Sequence, residues 1–150
     1  MERLVWWMPM LAVLAGFAMA VQPAANGALA LRCEHPLQAS IISFGTGLIA
    51  LSLVAVILGV GWPVPSKFGG LAPWAWSGGL LGTYMVTVSL LAAPKLGAAN
   101  WIALVVAGQV GLSLVLDHFG WLGFNPQPLT WPRFVGACCL AAGVFLVLRS

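Results

Sequence analysis

Hydrophobic residues run along this chain in five dense stretches, at about 4–31, 37–60, 73–92, 98–116 and 132–148, divided by short polar or Pro/Gly-rich links. Crossing the apolar core of a bilayer takes about 20 residues of helix, with a range of about 17 to 25. Each stretch meets that length, so the pattern predicts an all-α membrane protein with five transmembrane helices. The links at 61–72, 94–97 and 121–131 carry Pro63, Pro65, Pro94, Gly97, Pro126 and Pro128. Pro94-Lys95-Leu96-Gly97 reads as a tight turn that breaks the helix, making spans three and four an antiparallel hairpin. The opening stretch contains Ala18-Met19-Ala20, which resembles a signal-peptide cleavage site. Its flank Glu2-Arg3 has no net charge and hydrophobicity resumes after Ala20, so a retained membrane helix is expected.

Polar positions inside the spans are few and patterned. In span four Gln109, Ser113 and Asp117 fall at i, i+4 and i+8, which puts them on one helix face. Such a stripe is expensive in lipid and should face protein or a water-filled cavity. In span one Pro23 lacks an N–H and should kink or loosen the helix, with Gln22 and Asn26 on either side. Those amides either cap groups freed by the kink or line a broken helix at a substrate site. Ser40, Ser43 and Gly47 share one side of span two, a pattern that serves close helix packing or ligand contact. Span three opens with Trp74 and Trp76, residues that anchor span edges at the interface. Gly78 and Gly82 form a GxxxG packing pair there, Trp76, Thr83 and Thr87 share a stripe, and Tyr84 lies near mid-span. Threonine hydroxyls in such a helix also bond back to their own backbone. His35, beside Glu34 in the first link, reads as a solvated loop histidine.

Composition sharpens the class. Hydrophobic residues make up 61% of the chain and charged residues 6%, against about 25% charged in soluble domains. There is too little polar material to clothe a globule in water. The net charge of +3 comes from scattered Lys and Arg, with no patch for nucleic acid. Cys138 and Cys139 are adjacent and Cys33 stands alone, with no His or Cys at metal spacing, so neither a disulfide framework nor a metal site is expected. No cofactor is implied.

The odd number of spans places the termini on opposite sides. Arg3, Lys67 and Arg133 fall on one side and Arg32, Lys95 and Arg149 on the other, so the six basic residues divide equally. The positive-inside rule needs an excess on one side to orient a chain. Without it, insertion in both orientations is the natural outcome, and two opposed copies would form an antiparallel homodimer of ten helices.

Several segments also resemble a known family. Gln22-Pro23-Ala24-Ala25-Asn26, Ile42-Ser43-Phe44-Gly45-Thr46-Gly47, Trp76-Ser77-Gly78-Gly79-Leu80-Leu81-Gly82, Pro94-Lys95-Leu96-Gly97-Ala98-Ala99 and Gly108-Gln109 through Asp117-His118-Phe119-Gly120 look like the YdcZ-like family. These are five-span bacterial inner-membrane proteins of the drug/metabolite transporter superfamily. The resemblance covers nearly the whole chain, and its specificity lies in the series of motifs. It implies half of a ten-span fold, found as dual-topology chains, paired genes or fused repeats, and transport of a small molecule. Pro23 departs from the family's usual small residue after the glutamine. The small multidrug resistance proteins, distant relatives, carry a carboxylate in the middle of their first helix, whereas the corresponding Leu14 to Phe17 here has none.

These readings converge on a secondary transporter with its site between two protomers. The expected substrate-binding residues are Gln22, Asn26, Ser43, Trp76, Tyr84, Gln109, Ser113 and Asp117. Amides and hydroxyls would orient a ligand, and aromatic faces would hold its apolar or cationic part. Asp117 is the one plausible proton carrier, yet it stands at a span's edge, and pairing with Arg133 is the competing reading. Export of cations by proton exchange is therefore disfavoured against a neutral or amphipathic metabolite. The alternative is a non-transporting membrane scaffold or accessory subunit. An enzyme built on Asp117-His118 is not expected, since helix neighbours point about 100° apart and no nucleophile matches them.

Overall fold

The computed structural model describes residues 7–149, and among these the regular structure is all helical, with no strand. Five helices form: α1 (Met8–Ala30), α2 (Pro36–Ile57), α3 (Ser77–Leu96), α4 (Ala98–Phe119) and α5 (Trp131–Arg149). With the short 3-10 turn Pro73–Trp76 leading into α3, all five are long and apolar enough to cross a membrane. The expected start of the first span, at residues 4–6, lies outside the described residues, as does Arg3 of the charge count.

The chain divides into two compact units, Met1–Ala92 and Ala93–Ser150, so α3 contains the boundary. In the first unit α1 packs against α2, and in the second α4 packs against α5. Few side chains are buried, among them Ala39, Val86 and Leu90 in the first unit and Trp101 and Val144 in the second. Large apolar side chains such as Ile41, Leu51 and Leu80 lie outward. In water that would be ruinous. In lipid it costs nothing, because acyl chains are as apolar as leucine and helix association rests on packing and hydrogen bonds.

Local chemistry sets the helix ends. At the start of α2 the His35 Nδ1 accepts from the Leu37 N–H at 3.2 Å, while Gln38 Oε1 accepts from the Glu34 N–H at 2.9 Å and the His35 N–H at 3.3 Å. Those bonds satisfy N–H groups that the helix itself leaves without partners. His35 is thus a cap, a role its solvated-loop reading did not include.

The broken-helix reading at Pro23 and the helix stop at Pro94 are corrected, since neither proline ends its helix. α1 runs uninterrupted through Pro23, so span one is not a broken helix. α3 likewise continues past Pro94 to Leu96. One proline forgoes one backbone bond, and Pro94 does so in the last turn, where the next bond still forms from the Gly97 N–H to the Ala93 carbonyl at 3.0 Å. The break falls at Gly97, whose φ of +85° favours glycine. Its carbonyl accepts from the Trp101 N–H at 3.0 Å and so opens α4. Of the Gly78/Gly82 pair, only Gly82 makes a close approach, with the Phe44 ring 3.5 Å from where a Cβ would stand.

Candidate functional site

The first unit contains a cavity of about 400 Å³ lined by Gln22 of α1, Ser43, Phe44, Gly47, Leu48 and Leu51 of α2, and Val86 of α3. It brings together two of the expected site residues, an amide and a hydroxyl, against an apolar and aromatic wall. Among the described residues no ionisable side chain lines it.

Its depth follows from helix geometry. At about 1.5 Å per residue, Ser43 stands roughly 10 Å and Leu51 roughly 22 Å along α2 from Pro36, so the cavity occupies the middle of the span. Below it, toward the link between α1 and α2, the unit closes. Ser40 is 3% exposed, and its hydroxyl lies 3.2 Å from that of Thr87 on α3. Asn26 is 4% exposed with no partner for its Nδ2, and the buried Ser89 hydroxyl donates to the Val86 carbonyl at 2.7 Å. Toward the other end the α1 residues Met8–Ala18 are all exposed, as are Leu53, Val54, Val56 and Ile57 at the end of α2. The unit is thus packed shut by small and polar side chains at one end and splayed at the other.

The remaining site expectations lie elsewhere. Asn26 belongs to the packed end and does not line the cavity. Trp76 and Tyr84 are largely exposed and do not line it either. Trp76 packs edge-on against Phe68 with ring centroids 5.6 Å apart, as an anchoring residue would. Thr83 returns its hydroxyl to the Gly79 carbonyl at 2.9 Å.

In the second unit Gln109 and Ser113 are exposed near the middle of α4. Ser113 donates to the Gln109 carbonyl at 2.8 Å, and the Gln109 amide bonds to no described residue. Asp117 does pair with Arg133, Oδ2 to Nη1 at 3.4 Å. Arg133 also holds the link between α4 and α5, donating through Nη2 to Gln127 Oε1 at 2.6 Å and through Nη1 to the Gln127 carbonyl at 3.3 Å. The Gln127 N–H in turn donates to the Asp117 carbonyl at 2.7 Å.

Reasoning from sequence missed the wall of the cavity. Phe44, Leu48, Leu51 and Val86 are ordinary span residues, and nothing in their spacing separates a cavity wall from a lipid-facing surface. It also missed the Ser40–Thr87 contact, although both residues stood out as polar positions on their helices.

The sequence profile of the family described as "Putative inner membrane exporter, YdcZ" matches residues 7–146. Inner membrane protein YdcZ of Escherichia coli (strain K12) is 38% identical over 76 residues, which is 51% of this chain and 50% of that protein. The match therefore spans about half the length of this curated relative. No solved structure matches the chain significantly.

Proposed function

The chain belongs to the YdcZ family and is a multi-pass inner-membrane protein, and on that footing we propose that it exports a small uncharged or amphipathic molecule as a secondary transporter. The observation that carries this reading is the mid-span cavity, which offers the Gln22 amide and the Ser43 hydroxyl within apolar walls and, among the described residues, no ionisable group. Such a lining orients a ligand by hydrogen bonds and shelters its apolar part. A permanent cation would meet no counter-charge there. Closure at the Ser40–Thr87 end and splaying at the other suit a pathway that opens to one side at a time.

The working unit in this reading is an antiparallel homodimer. Two features support it: the equal division of basic residues between the two sides, and the exposed Gln109 and Ser113 near the middle of α4. A polar group at that depth in lipid is costly. A second, inverted copy would cover the stripe and let it face the transport path.

The test is a thermal-unfolding screen of the purified protein against uncharged amphipaths and permanent cations. A ligand at about 100 times its Kd stabilises the native state by about 2.7 kcal/mol. Uncharged compounds should raise the unfolding temperature, and Gln22→Ala should remove the rise without lowering the unliganded value. Stabilisation by cations alone, or none from either set, would count against the reading.

A further inference from the structure

The packed end of the first unit holds a polar group that its own packing does not satisfy. Asn26 is 4% exposed, and its Nδ2 has no hydrogen-bond partner among the described residues. Helix geometry sets Asn26 level with Ser40. Each stands four residues from its end of the α1–α2 link, at Ala30 and Pro36, or about 6 Å along the axis. Gln22 and Ser43, which line the cavity, stand roughly 12 and 10 Å from those same ends. The amide and hydroxyl of the cavity are therefore repeated, about one turn nearer the link, by the amide and hydroxyl of the closed end.

The closed level lacks acceptors. The Ser40 and Thr87 hydroxyls, 3.2 Å apart, share one proton between them, and Ser89 gives its own to the Val86 carbonyl. Asn26 adds an N–H group that meets neither. A buried donor left without an acceptor makes this packing roughly tenfold less favourable than it would be with the amide satisfied. Were Asn26 present only to fill space, an apolar side chain of similar size would do so without that cost. Parting of the helices would bring the amide to water, which stands little more than a turn away at the link. α1 also gives most easily here, because Pro23, between Gln22 and Asn26, has no N–H to donate to the Met19 carbonyl.

We propose that Asn26 is the gate residue of this end. Its unpaired amide biases the Ser40–Thr87 closure toward opening, and in the open state it takes an acceptor oxygen, from water or from the molecule passing Gln22. The inference rests on the alternating pathway proposed above and assigns the amide a positioning role in it, acting on the closure.

The experiment uses the full chain in liposomes, with Cys33, Cys138 and Cys139 changed to alanine and Ser89→Cys as reporter. Ser89 is 5% exposed, so a thiol there meets N-ethylmaleimide and water only when the end opens. Asn26→Leu should slow labelling roughly tenfold while the unfolding temperature holds or rises. Asn26→Ala, which cannot crowd its neighbours, should slow it as well. A merely structural asparagine predicts the reverse, a looser end that labels faster and unfolds at a lower temperature. Faster or unchanged labelling in both variants would overturn the proposal, as would a lowered unfolding temperature in both. No substrate enters this measurement. Slower labelling in a protein that exports none of the screened compounds would therefore uphold the gate and defeat the export reading alone.

Discussion

Removing the charge of Asp117 separates an ion pair that holds a loop from a carboxylate that carries protons. In Asp117→Asn the 3.4 Å pair with Arg133 is lost, but the side-chain carbonyl remains as an acceptor. Arg133 also keeps its bonds to Gln127 at 2.6 and 3.3 Å. The two partners are 34% and 28% exposed, so solvent screens the pair and its worth is that of a surface bridge, about 1 kcal/mol or less. A loss of 1 kcal/mol is roughly a fivefold change in the folded-to-unfolded ratio. Thermal unfolding of the purified variant should therefore show a small decrease. Flux of a stabilising compound in proteoliposomes should stay within a few-fold of the wild type. Arg133→Ala is expected to be the more damaging change, because it also frees Gln127 and leaves Asp117 without its partner. If Asp117→Asn keeps its unfolding temperature but abolishes flux, the carboxylate is the proton carrier and the structural assignment is wrong.

Other outcomes follow from the same structure. Ser40→Cys with Thr87→Cys, in a chain whose other cysteines are changed to alanine, should form a disulfide on oxidation, stopping flux until it is reduced. Unchanged flux in the oxidised form would remove the Ser40–Thr87 end from the pathway. Ser40→Ala should cost about 1 kcal/mol, the ordinary worth of a hydrogen bond, measurable by thermal unfolding. Gly120→Ala forces a Cβ onto Pro126 at 2.7 Å in a backbone with φ of +64°, and a cost of about 1–3 kcal/mol is expected from the strain alone. Limited proteolysis should then cut the α4–α5 link faster than in the wild type. Gln109→Leu would be neutral or stabilising if the residue faced lipid, so loss of dimer on cross-linking would place it against the second copy.

The five spans were legible because roughly 20 apolar residues in a row leave few alternatives, and five helices long and apolar enough to cross a membrane are present. The Asp117–Arg133 pair was legible too, since a short link joins the ends of α4 and α5. Proline was over-read. At Pro23 and Pro94 a single missing backbone bond is outweighed by the continuing ladder, and no composition rule reports that balance. The histidines were under-read. His35 and His118 each accept a backbone N–H through Nδ1, a role set by loop geometry and invisible in spacing. Gln22 and Ser43 do share a cavity, whereas Asn26, one turn from Gln22, lies in the packed end. A helix-face argument fixes direction around an axis, and it says little about how tightly each level of that face is packed.

The proposed antiparallel dimer requires a chain that inserts both ways up. Arg3, Lys67 and Arg133 balance Arg32, Lys95 and Arg149, and reporters fused to the C-terminus read the result directly. With a cytoplasmic fluorescent reporter and a periplasmic phosphatase reporter expressed in parallel, both should be active at comparable levels. Adding one lysine beside Lys67 should push the population to a single orientation. Activity from one reporter alone in the unaltered chain, with no inverted partner, would contradict the antiparallel dimer and the shared pathway built on it.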